Sequence, residues 1–122
     1  MSDKLIIAVV NANPSNFLEL SLPLLQATVA ASMEYDVEVI FSGRAGKIAI
    51  VGEAEKISDE NDPKKSIQTI ISEAYDAGVL FKVCTPALEI WGDTIIPEIN
   101  EIVGGTYLIS EAMDSNTVTF TY

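Results

Sequence analysis

Gly78-Val79-Leu80-Phe81-Lys82-Val83-Cys84-Thr85-Pro86-Ala87-Leu88-Glu89 runs from a helix-ending glycine through an apolar strand to the one cysteine of the chain. Thr85-Pro86 then reads as a helix start. Thr85 is a good N-cap, and proline in the first turn sacrifices no hydrogen bond. A thiol at that junction faces unpaired backbone N–H groups and the positive end of a helix dipole, both of which favour thiolate. In a parallel α/β sheet the carboxyl ends of the strands are also where ligands bind. Against this stands the ordinary behaviour of a free cysteine, which packs as a small hydrophobe and is among the most buried residue types.

Working outward, the flanking segments alternate between strand and helix. Leu5 to Val10 is a continuous apolar run, as expected of a strand covered on both faces, and it ends in the turn-rich Asn11-Ala12-Asn13-Pro14-Ser15-Asn16. A long helix follows from about Asn16 to Tyr35 and carries two apolar stripes. Phe17, Leu20, Leu24, Thr28 and Ala31 form one; Leu18, Leu22, Leu25 and Val29 form the other. Pro23 should kink it. Asp36 to Phe41 is a second strand, followed by the loop Ser42-Gly43-Arg44-Ala45-Gly46. Residues 45–51 are read as a short helix because of the alternation, although Ile48, Ile50 and Val51 favour strand. Glu53 to Asn61 reads as an acidic surface loop. Asp62-Pro63 reads as a helix start, and Gly78 ends that helix.

Beyond the central stretch, a short helix near Pro86 to Trp91 ends at Gly92-Asp93, and Thr94 to Glu98 offers a further helical turn. A strand at Ile99 to Val103, a helix at Thr106 to Met113 and a strand at Thr117 to Tyr122 complete the order. Strands alternating with helices predict an α/β fold: a three-layer α/β/α sandwich around a mostly parallel sheet, in one domain over residues 1–122.

Composition narrows the function classes. The 122 residues are 48% hydrophobic and carry 18 acidic against 7 basic side chains, a net charge of -11. Such a surface repels phosphate backbones and anionic membranes, so neither direct nucleic-acid binding nor membrane binding is expected. A protein partner should present a basic face. No apolar run is long enough to span a bilayer. The single cysteine and the lack of an export-type leader predict a reducing, cytoplasmic setting. Histidine is absent, which removes Ser-His and Cys-His catalysis and histidine metal sites. Neither a metal nor a cofactor is expected.

The familiar nucleotide and phosphate sites of α/β folds each lack their residues. No G-x-G-x-x-G follows the first strand, and there is no G-x-x-x-x-G-K-[ST]. A flavodoxin-type site would need a Ser/Thr-rich first loop, and a receiver-type phosphoacceptor an aspartate where the chain has Cys84. Gly43-Arg44-Ala45-Gly46 is more readily a plain turn. Glu89, if it pointed at the sulfur, would oppose thiolate formation. Lys82 and Arg44 are the available counter-charges. Lys82 is two residues from Cys84 and so shares its strand face, unless it snorkels out at the sheet edge. Asn11, Asn13, Ser42, Thr85 and Trp91 follow strand ends and are the expected pocket neighbours.

Five features together resemble the DsrE/DsrF-like proteins: the apolar first strand with its long helix, Ser42-Gly43-Arg44 after the second strand, Gly78-Val79 leading to a strand that ends at Cys84, Ile102-Val103-Gly104, and the closing apolar strand. The resemblance implies a five-stranded parallel sandwich assembled into trimers or hexamers. It also implies a sulfur relay in which Cys84 carries sulfur as a persulfide between donor and acceptor proteins. The chain departs from better-endowed members in having no second cysteine. The contrasting expectation is a non-catalytic oligomeric scaffold or regulatory subunit with an inert Cys84.

Overall fold

A computed structural model describes residues 3–122. Five strands form one parallel sheet: β1 (Lys4–Val9), β2 (Asp36–Phe41), β5 (Leu80–Cys84), β6 (Ile99–Val103) and β7 (Thr117–Thr121). Their spatial order is β6-β5-β2-β1-β7, so the apolar β1 and β2 lie inside the sheet and β6 and β7 form its edges. A separate antiparallel ribbon pairs β3 (Ser58–Asp59) with β4 (Asp62–Ser66). The helices are α1 (Phe17–Ser32), α2 (Ile67–Asp76), α3 (Thr85–Trp91) and α4 (Gly105–Ala112).

Local chemistry explains the boundaries. Asn16 caps α1 by accepting from the Glu19 N–H at 3.1 Å, and Glu19 returns a bond to the Asn13 N–H at 2.9 Å. At the other end Glu34 takes a positive φ of 70°, and the Tyr35 N–H reaches back to the Ala30 carbonyl. α2 is capped by Ser66, whose hydroxyl accepts from Thr69 N–H at 3.2 Å. Gly78, at φ 107°, turns the chain out of α2 and into β5.

The two faces of the sheet are covered unequally. On one, Ile7, Val9, Val39, Phe41, Phe81 and Val83 meet Leu20, Leu24 and Ala27 of α1 and Ile67 and Ile71 of α2. Phe41 and Phe81 stack with ring centroids 5.9 Å apart. Each such buried side chain stabilises the fold by about 1.5–3 kcal/mol relative to exposure. On the other face, among the described residues, only α4 packs, and its Tyr107 and Leu108 cover Ile6, Ile40 and Val103. The first stripe of α1 turns inward as expected. Leu18, Leu22, Leu25 and Val29 of the second stripe are exposed.

Four segments differ from the sequence reading. Asp62-Pro63 begins β4, not a helix. The short ribbon makes no use of an N–H at Pro63, and Ser66 takes over the cap four residues from Asp62. The acidic stretch 53–61 is a 3₁₀ turn (Ala54–Lys56) followed by β3. The short helix expected at 45–51 is a 3₁₀ helix set slightly earlier, Gly43–Ala49. Of the helical turn expected at Thr94 to Glu98, Thr94 to Ile96 is instead extended, and Pro97-Glu98 is a single turn closed by the Ile99 N–H on the Ile96 carbonyl. Val51 N–H bonds the Thr94 carbonyl and Ile96 N–H bonds the Ala49 carbonyl, pinning the segment as an Ile50–Ile95 bridge.

Candidate functional site

Cys84 is the last residue of β5, partly exposed, at the carboxyl end of the sheet. It pairs with Val103 of β6 on one side of the strand. The structure makes Cys84 itself the N-cap of α3 and places Thr85 and Pro86 in the first turn. Thr85 does not cap as the sequence suggested, because its hydroxyl donates across to the Val103 carbonyl at 3.2 Å. The Cys84 sulfur therefore occupies the position of a capping oxygen, yet it makes no cap hydrogen bond to α3.

The other strands end at the same end of the sheet, and their loops are tied to one another there. Ser42 N–H bonds the Val9 carbonyl, and Val10 and Asn11 N–H both bond the Tyr122 carbonyl. Arg44, exposed, donates its Nε to the Asn11 carbonyl at 2.7 Å. Trp91 donates its indole N–H to the Gly43 carbonyl at 3.0 Å, and the Lys47 ammonium lies 5.6 Å from the Trp91 ring centre. Gly46 sits against α3 so closely that a Cβ there would be 2.5 Å from the Ala87 Cβ. These contacts join Asn11, Arg44, Gly43 and Trp91 into one polar rim and lock α3 onto the 3₁₀ helix. Ser42 contributes its backbone. Asn13 belongs elsewhere: its Oδ1 accepts from Ser15 N–H and its own N–H bonds Glu19, so it shapes the entry to α1.

Lys82 shares the sheet face of Cys84, but its ammonium is committed. Nζ lies 3.1 Å from Glu38 Oε1 and 3.1 Å from Glu101 Oε1, and bonds the Tyr107 hydroxyl at 2.7 Å. Tyr107 in turn donates to Glu38 Oε1 at 2.6 Å, and Lys4 pairs with Glu38 Oε2 at 2.6 Å and with Glu111. Glu38 is 3% exposed and Lys82 7%. Burial alone would lower the Lys82 pKa; the bonds to Tyr107, Glu38 and Glu101 outweigh it and hold the ammonium well above the usual lysine range. Burial alone would likewise raise the Glu38 pKa; hydrogen bonds from Lys4, Tyr107 and Lys82 overcome that and hold the carboxyl below its usual range. Burial and the bond to Glu38 raise the Tyr107 phenol, so it stays protonated as a donor. Lys82 is thus a fixed cation, not a free base.

Sequence reasoning missed this cluster apart from Lys82. The available signal was a charged residue inside each of two apolar strands, Val37-Glu38-Val39 and Phe81-Lys82-Val83. Buried charges of opposite sign call for each other.

Among the described residues no group of acidic or cysteine side chains could hold a metal ion, and no helix is long and apolar enough to cross a membrane. No protein-family model matches the chain, and no curated protein matches it. Solved structures do. The chain is similar to the ychN protein from E. coli, with a TM-score of 0.76 and 17% identity over 100% of both chains. It is also similar to BT1422 from Bacteroides thetaiotaomicron, a conserved protein of unknown function, with a TM-score of 0.66 and 17% identity over 98% of this chain and 95% of that one. At this identity the likeness establishes a shared fold, and that fold is consistent with the DsrE/DsrF-like resemblance.

Proposed function

We propose that the protein is a small sulfur carrier or sulfurtransferase-like protein of the cytoplasm that holds sulfur as a persulfide on Cys84. The observation that carries this reading is the position of the thiol. It is partly exposed, ends a strand of a parallel sheet, and leaves its sulfur unengaged at the first turn of α3. The transfer needs no metal or cofactor. The Cys84 thiolate attacks the outer sulfur of a polysulfide or persulfidated donor, that S–S bond breaks, and the donor leaves as a polysulfide one sulfur shorter or as a thiolate. With no second cysteine in the chain, no internal disulfide can expel the sulfur. It stays until an external acceptor thiol attacks it, and the net charge of -11 favours an acceptor with a basic face.

Self-association is part of the proposal. The resemblance implies three or six subunits, and the uncovered stripe of α1 supports contact with another copy.

Intact-protein mass spectrometry after polysulfide treatment tests the chemistry. The folded protein should gain one sulfur, lose it to a reductant, and gain none as Cys84→Ser. The commitment of Lys82 to Glu38 and of Arg44 to Asn11 favours the second reading, a scaffold with an inert thiol. That reading prevails if the folded protein gains no sulfur and its thiol resists alkylation until denaturant is added.

A further inference from the structure

The two edges of the sheet are protected differently. β6 carries Glu101 and a register irregularity opposite Phe81 and Lys82, where the Asn100 side chain accepts from the Phe81 N–H at 2.8 Å. Charges and bulges of this kind block edge-to-edge pairing. β7 is Thr117-Val118-Thr119-Phe120-Thr121, with no charge, no proline and no bulge in its register with β1. A bare, uncharged edge of β-favouring residues is a template for another strand.

The direction of the free backbone groups follows from the ladder. Tyr122 N–H bonds the Ala8 carbonyl, the Tyr122 carbonyl accepts from Val10, and the Asn116 carbonyl accepts from Lys4. The even-numbered residues therefore face β1. By the alternation of a parallel ladder, Thr117, Thr119 and Thr121 direct their N–H and C=O outward. The five residues also read the same way in both directions by class: threonine, apolar, threonine, apolar, threonine. An antiparallel copy centred on Thr119 sets Thr117 opposite Thr121 in hydrogen-bonded pairs and Val118 opposite Phe120 in the closer side-chain pairs.

The face beside this edge is apolar. Val118 and Phe120 line one side of a groove of about 570 Å³, and Leu25 and Val29 of α1 with its C-cap Met33 line the other. Lys4 is the one charged residue lining it, and its ammonium is held by Glu38 and Glu111. In a chain of net charge -11, two copies meet here without opposing like charges. With Leu22 of the same stripe, these six side chains are 42% to 62% exposed. They present on the order of 550 Å², about two thirds of the roughly 800 Å² per partner of a standard interface, and the paired β7 strands add to it.

We infer that the occupant of this face is a second copy of the chain, joined β7 to β7 about a two-fold axis through Thr119. The two sheets become one ten-stranded sheet, and the α1 stripes of the two copies face one another across a single apolar trench floored by Val118 and Phe120 of both. The contact is isologous, so it requires an even number of subunits. Of the sizes the resemblance implies it selects six; alone it gives a dimer. The inference rests on the self-association proposed above. Light scattering tests that association, and cross-linking tests the edge.

In a Cys84→Ser background, Thr119→Cys should form a covalent dimer within minutes of adding diamide, because its two-fold mate lies about 5.5 Å away between Cα atoms. Thr117→Cys should not, since its mate is displaced by four residues along the strand. A mixture of Thr117→Cys and Thr121→Cys chains should cross-link to each other. Val118→Glu should abolish the even-numbered assembly with an unchanged circular dichroism spectrum, and Ile102→Glu on the opposite edge should leave it intact. A monomer or a trimer by light scattering overturns the inference. So does an even-numbered assembly in which Thr119→Cys fails to cross-link.

Discussion

Truncating Glu38 to alanine removes one carboxylate that serves three donors. Its Oε2 is 2.6 Å from Lys4, and its Oε1 is 3.1 Å from Lys82 and 2.6 Å from the Tyr107 hydroxyl. Breaking a buried pair from one side costs about 3–5 kcal/mol, because the surviving charge is stranded. Here Lys82 keeps Glu101 and Lys4 keeps Glu111, both nearer the surface, so the lower end applies. We expect a loss of about 3 kcal/mol in urea unfolding. For a domain of this size it corresponds to a melting point about 12 °C lower. The double variant Glu38→Leu with Lys82→Met should recover to within about 1 kcal/mol of wild type, since a buried pair exchanged for apolar groups is often neutral. A loss below about 1 kcal/mol for Glu38→Ala would refute the assignment of the cluster as a buried, mutually dependent network. So would a double variant as unstable as the single one.

The same carboxyl sets the acid limit. Its native pKa is lowered, so its contribution is present above the ordinary value of 4.5 and is lost as pH falls through the native value. Wild type should therefore lose stability more steeply than Glu38→Gln in urea titrations below about pH 4. Gly46→Ala would set a methyl 2.5 Å from the Ala87 Cβ; a loss of about 1–3 kcal/mol and faster alkylation of Cys84 should report α3 lifting from the 3₁₀ helix. Glu34→Gly should stabilise by roughly 1 kcal/mol, read from the urea midpoint, because Glu34 holds φ 70° where a side chain is strained. Asn16→Ala should cost about 1 kcal/mol by removing the cap from Glu19 N–H.

The sheet was legible because its strands are apolar enough to announce themselves. Leu5 to Val9, Val37 to Phe41 and Leu80 to Val83 need no partner information to be read as strands. The ribbon at 58–66 was hidden because Asp62-Pro63 is equally good chemistry for a helix start and for a turn into an extended edge. Only the pairing of Ser58 with Ser66 decides between them. At the site, Cys84 and the residues after the strand ends could be named, since position along a strand is a local property. The partners of Lys82 could not. Glu38, Glu101 and Tyr107, with Lys4 joined to them through Glu38, are scattered through the sequence and converge only through the strand order β6-β5-β2-β1-β7 and the docking of α4.

That order also governs how the molecule is completed during synthesis. β1 is made first and has two neighbours, β2 close behind it and β7 far along the chain. While residues up to Val103 are emerging, β1, α1, β2, α2 and β5 can assemble with one long side of β1 still open to water. Ile6, Ile40 and the buried face of Glu38 wait as well, because their cover, α4, is translated just ahead of β7. A nascent chain stalled before residue 104 would thus hold a half-clad sheet with a bare leading strand. Such a species exposes the kind of apolar surface and unpaired strand edge that makes incomplete folds prone to aggregate.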